Sequence, residues 1–160
     1  MFEQSLLAEY LRRSYFALDG LWFVKVEERL DFAQALELDA AVWQVLAKIQ
    51  ARKTRELLGL TGNKLSDLLS ALQLKFAAEE YTQRVGNQQA GRTEIEITAC
   101  PWIELLRKSG REQLAAKLAD AVCTTDFQGW ANEFDPAISV TLPERRCDGA
   151  KLCRVVFESR

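Results

Sequence analysis

Thr93-Glu94-Ile95-Glu96-Ile97-Thr98 alternates polar and apolar residues without a break, whereas most of the chain before residue 80 repeats its apolar residues at spacings of three and four. Strict alternation can bury one face only in a strand, so this stretch predicts a half-buried strand with both isoleucines inward. The Asn- and Gln-rich run from Gly86 to Gly91 reads as a turn from an earlier strand near Glu80 to Val85. Toward the N-terminus, Leu7, Tyr10, Leu11, Ser14 and Leu18 predict a helix that breaks at Asp19-Gly20 and resumes over Leu21 to Arg29. Asp39 is a candidate N-cap for the next helix, with Val42, Val45, Leu46, Ile49 and Leu57 as its apolar face. Asn63 is a candidate cap for a third, striped by Leu65, Leu68, Leu69, Leu72 and Phe76.

Toward the C-terminus, Pro101 opens a helix over Trp102 to Lys108, and Arg111 to Val122 forms another through Leu114, Leu118, Ala121 and Val122. Ile138, Val140 and Leu142, then Cys153, Val155 and Phe157, alternate again. The expected fold is therefore α+β: one domain of 160 residues, with helices over residues 1–78 packed on an antiparallel sheet within residues 79–160.

Lys plus Arg number 21 against 23 Asp plus Glu, a net charge of -2, which implies neither nucleic acid nor an anionic membrane as partner. The longest apolar run, Leu21-Trp22-Phe23-Val24, is far short of the roughly 20 residues of a membrane span. Glu3, Glu9, Arg12 and Arg13 interrupt the first residues, so the chain reads as a soluble cytoplasmic protein whose four cysteines stay reduced.

Asp148-Gly149 is a two-residue hairpin signal, because a type I′ turn needs positive φ at both central positions. That turn pairs Cys147 with Ala150, Glu144 with Cys153, Leu142 with Val155 and Val140 with Phe157. Glu144 then faces the Cys153 thiol, where an unpaired carboxylate is costly and a cation resolves the cost. Cys123 and Cys147 complete a candidate zinc site of three sulfurs and one oxygen, provided a bulge after Pro143 or a longer loop re-aims Cys147. The alternative is that these cysteines are only small buried hydrophobes.

Cys123 to Phe157, with Glu144-Arg-Arg-Cys147-Asp-Gly-Ala-Lys-Leu-Cys153 at its centre, resembles the end of the 4-vinyl reductase domain family of small-molecule-binding α+β modules. The resemblance implies zinc on Cys123, Glu144, Cys147 and Cys153, with a final gap shorter than the family's. Asp19-Gly-Leu-Trp22-Phe, Val26-Glu27, Ala35-Leu-Glu-Leu-Asp39, Trp43, Cys100-Pro101-Trp102, Cys123 and Gly149-x-x-x-Cys153 are similar to the family named after L-2-amino-thiazoline-4-carboxylate hydrolase, which opens a cyclic amidine.

That second resemblance implies a hydrolase as the alternative to a binding module. The chain has no histidine, so Cys100, at the start of the Pro101 helix, is the candidate nucleophile, its thiol expected to be acidified by the helix terminus. Asp126 and Glu27 are candidate bases, or else solvated helix-end carboxylates. Trp22, Trp43 and Trp102 either wall a ligand pocket or belong to the core. A cysteine-ligated iron-sulfur or haem protein is the third class, and the sequence leaves room for a homodimer. The expected cavity lies between helices and sheet near Trp22, Trp43, Cys100 and Trp102.

Overall fold

The computed structural model describes residues 1–159, and its fold is α+β. Helices α1 (Gln4–Arg29), α2 (Phe32–Leu58) and α3 (Leu65–Ala78) lead into strands β1 (Thr82–Gln89) and β2 (Arg92–Ala99). Helices α4 (Pro101–Lys108) and α5 (Ala115–Asn132) follow, with a 3-10 turn at Glu112–Leu114 between them, and β3 (Ile138–Glu144) and β4 (Cys153–Ser159) close the chain. The sheet is antiparallel in the order β1-β2-β4-β3, so the two hairpins meet through their second strands.

The two faces of this sheet are covered differently. Ile95, Ile97, Val155 and Phe157 point into the core, where Phe157 meets Phe127 of α5 at 6.3 Å and Phe127 meets Phe76 of α3 at 6.2 Å. On the opposite face Glu94 and Glu96 are nearly as buried as the isoleucines. Arg154 bonds both, at 3.0 and 2.9 Å, while Arg92 also pairs with Glu94 and Arg84 with Glu96. A lattice of ion pairs thus shields the strand where no second layer does.

Five sequence expectations about the helices need correction. Helix α1 runs through Asp19-Gly20 without a break, because one glycine in a long helix costs only about 1 kcal/mol. Helix α2 begins at Phe32 with Asp31 as its N-cap, accepting from the Gln34 amide at 2.8 Å, and α3 is capped at Lys64 rather than Asn63. Asp39 therefore lies inside α2, buried with Ala35, Trp43, Ala47, Ala51 and Thr54, while Val42, Val45, Ile49 and Leu57 are exposed. The alanine line wins because it lets α2 approach α5 closely, with Ala47 against Gly129, where an added Cβ would stand 2.8 Å from that of Ala47. Helix α5 continues ten residues past Val122, so neither Cys123 nor Asp126 marks a helix end.

The hairpins also depart from expectation. β1 extends to Gln89 across an irregularity between Val85 and Gln88, and the turn is Ala90-Gly91, with Gly91 at φ 75°. Val140 pairs with Phe157 as predicted, but the register shifts between Thr141 and Glu144, so Glu144 pairs with Arg154 rather than Cys153. Pro143 offers no N–H to the ladder, which makes this edge strand a place for such a shift. Instead of a two-residue turn, residues 145–152 form a loop with a 3-10 turn at Arg146–Asp148 and Gly149 left-handed.

Candidate functional site

Helix α1 crosses α2 and the α4–α5 region without filling the space between them. A cavity of about 430 Å³ remains there, walled by residues of α1, α2, α4 and α5 and by the ends of β2 and the β3–β4 loop. Its volume lies within the range of small-molecule sites. The apolar wall is aromatic: Trp102 meets Phe16 at 4.6 Å, Trp43 at 5.1 Å and Tyr15 at 5.8 Å, all nearly edge to face. Trp43, Trp102 and Cys100 line this cavity, which lies among the helices rather than between helices and sheet, whereas Trp22 does not line it and is exposed.

Three carboxyls line it, one from each long helix: Asp19 of α1, Asp39 of α2 and Asp126 of α5. Burial pushes Asp19 up to about 6, with the Trp43 indole N–H opposing the rise and Glu79 adding to it. Burial pushes Asp39 further, to about 7, and the charge of Asp19 adds to that rise. Asp126 is raised to about 6 by burial, partly offset by Lys75. Its Oδ2 lies 3.7 Å from the Lys75 Nζ, while its Oδ1 is buried without a hydrogen-bond partner.

Lys75 is the buried counter-charge. Its Nζ donates to Glu79 Oε1 at 2.8 Å and to Gln50 Oε1 at 3.3 Å, and it lies 5.6 Å from the Trp43 ring centre. Burial would deprotonate it, but Asp126 and Glu79 outweigh that and keep it an ammonium. Arg111 at the cavity rim is spent on Glu27, at 2.6 Å, which pins α1 to the α4–α5 connection and occupies a carboxylate suggested as a base.

The cysteines are all unbridged and half-buried. Cys100 stands at the junction of β2 and α4, and there burial raises its thiol more than the N–H groups of Ile103 and Trp102 lower it. The expected acidified nucleophile is instead a protonated thiol. Burial also raises Cys123 strongly, Cys147 to about 12, and Cys153, whose sulfur accepts from the Arg146 amide at 3.2 Å. Charges on Cys100, Cys147 and Cys153 would each raise Cys123, so all three lie within electrostatic reach of it, and Cys100, Cys123 and Cys147 line the cavity.

Glu144 is the residue of the zinc quartet that does not join them: it is exposed and accepts from Arg154 at 3.2 Å on the outer face of the sheet. As they stand, no three metal-type side chains converge on a common point among the described residues.

Sequence reasoning missed Asp19, Asp39, Lys75 and Glu79. Two signals pointed to the last three of them. Asp39 interrupts the i, i+4 line of Ala35, Trp43, Ala47 and Ala51, and Lys75 interrupts the stripe of Leu68, Leu72 and Phe76 four residues before Glu79. Residues 4–151 match the model of a family described as a family of unknown function (DUF6125). No curated protein matches the chain.

Proposed function

Since the chain belongs to the DUF6125 family, whose function is unknown, we propose its role from the site: a small-molecule-binding domain whose ligand occupies the cavity between α1, α2, α4 and α5. The observation that carries this reading is an aromatic-walled space of about 430 Å³ lined by three carboxyls. Such a space is costly unless something fills it, since its lining forgoes packing contacts. Gly20 supports the same reading. It sits in the middle of α1 at the mouth of the cavity, and a Cβ added there would meet nothing within 4 Å. Close helix packing therefore does not explain the glycine, and its open position on the lining leaves space for a ligand.

Gly20→Leu tests the reading. It should keep or raise the melting temperature, because leucine favours helix, while abolishing the fluorescence enhancement of the uncharged naphthalene dye N-phenyl-1-naphthylamine and the accompanying quenching of Trp43 and Trp102. Unchanged probe binding in a folded Gly20→Leu variant would refute it.

Hydrolysis of a cyclic amidine is the less favoured reading, because Cys100 is held protonated and Asp126 is engaged by Lys75. A structural zinc belongs to the proposal with a changed ligand set: Cys100 takes the place of Glu144 beside Cys123, Cys147 and Cys153. Four reduced thiols, three of them within electrostatic reach of Cys123, support it, and bound zinc would hold them as thiolates and join α5 to the β3–β4 loop. Metal analysis of natively purified protein separates zinc from iron.

No helix among the described residues is long and apolar enough to cross a membrane. We place the protein in the cytoplasm, where free thiols persist. A second copy of the chain is the partner we propose for α1, whose only buried residue is Phe23 and whose Leu6, Tyr10, Leu11 and Leu18 are exposed. Sedimentation of wild type against a Leu11→Glu, Leu18→Glu variant tests it, and a monomeric wild type would exclude it.

A further inference from the structure

The titratable groups around the cavity do not balance. Asp19, Asp39 and Asp126 line it, and Glu79 stands just behind, bonded to the Trp102 indole N–H at 3.4 Å. Against these four acids the described residues set one buried cation, Lys75, which already serves both Glu79 and Asp126. Arg111, the one basic residue of the lining, is committed to Glu27.

The imbalance has a definite location. Asp39 and Asp126 are each more than nine-tenths buried, and Asp126 Oδ1 has no partner at all. A carboxylate left short of partners behind an apolar wall is stabilised by a positive charge brought into the cavity beside it. The rest of the wall suits the body of that donor, since the faces and edges of Trp43, Trp102 and Phe16 stabilise an apolar or aromatic group next to a positive charge.

We propose that the ligand is an organic cation, a protonated amine carried on an apolar or aromatic body, with its charge among Asp19, Asp39 and Asp126 and its body against Trp43, Trp102 and Phe16. The inference rests on the small-molecule reading and narrows it to one chemical class. An anionic ligand meets the opposite field: its one lining cation is already paired, and three carboxyls face it. A neutral ligand of the same shape fills the space but leaves the acids without a counter-charge.

Three probes of matched size separate these cases: phenethylamine, phenethyl alcohol and phenylacetate, titrated into the intact protein at pH 7.5 by calorimetry or by Trp fluorescence. Phenethylamine should bind at least about tenfold more tightly than the alcohol, the size of one charge-assisted contact, and phenylacetate should be the weakest. Asp39→Asn, which keeps shape and removes one of the three charges, should narrow the gap between amine and alcohol. Asp19→Asn gives the same readout from another helix should Asp39→Asn fold poorly. Equal binding of amine and alcohol, or a preference for phenylacetate, would overturn the cation assignment and leave the cavity reading in place. Binding of none of the three, together with loss of the naphthalene-dye signal, would sink both.

Discussion

Replacing Asp39 by asparagine tests the electrostatics of the cavity without adding or removing volume. In the folded protein burial and the neighbouring Asp19 raise the Asp39 carboxyl from 3.8 to about 7. Between those values the native state holds a proton that the unfolded chain has released, so stability is full below about pH 4 and falls as pH rises through 7. Applied to 3.8 and about 7, the linkage relation removes about 2.5 kcal/mol between pH 5 and pH 8, and roughly half that once water at the cavity mouth screens the charge.

Asparagine cannot ionise, so Asp39→Asn should recover that amount at pH 8 and little at pH 5. For a protein of this size, about 1–2.5 kcal/mol corresponds to roughly 3–8 °C in melting temperature. The assay is a pair of thermal melts of wild type and variant at each pH, without ligand. The variant's advantage should be larger at pH 8 than at pH 5 by that margin. An effect of Asp39→Asn that is the same at both pH values would show Asp39 ionised throughout, and the reasoning about the cavity acids would fall with it.

Lys75→Met leaves Glu79 and Asp126 buried without their cation, and should cost about 3–5 kcal/mol in urea unfolding at pH 8 and less at pH 5, where Asp126 takes up a proton. Gly129→Ala forces a Cβ to within 2.8 Å of Ala47; about 1 kcal/mol of helix propensity is gained against about 1–3 kcal/mol of overpacking, so a modest net loss is expected by chemical denaturation. Metal analysis should find zinc retained in Glu144→Ala, whose carboxylate serves Arg154, and lost in Cys123→Ser; loss in Glu144→Ala would restore the ligand set inferred from resemblance.

Local periodicity carried most of the fold. Alternation in Thr93 to Thr98 and around Val140 and Phe157 marks β2, β3 and β4 because a strand's side chains point to opposite faces whatever surrounds them. The same reasoning found Pro101 at the first turn of α4 and the leucine stripe of α3. It failed on α2, where Val42, Val45 and Ile49 form the more hydrophobic face yet remain exposed. Which face a helix buries depends on what packs against it, and here Gly129 of α5 accepts only the alanine line.

The candidate site divides along the same boundary. Trp43, Trp102 and Cys100 were visible as aromatic and thiol residues in the right segments, since such side chains draw notice wherever they stand. Asp19 and Asp39 were not, because a carboxylate beside a glycine or near a helix start reads as a break or a cap until the helix is seen to run through it. Glu144 was misplaced by a register shift that Pro143 allows but does not specify. The sequence by itself determined the α+β class, the strands and the cysteine-bearing segments, all of which follow from side chains near one another along the chain. Only the tertiary structure decided that α1, α2 and α5 each deliver a carboxylate to one cavity, because residues 19, 39 and 126 come to line it through helix packing, a long-range outcome that no local pattern encodes.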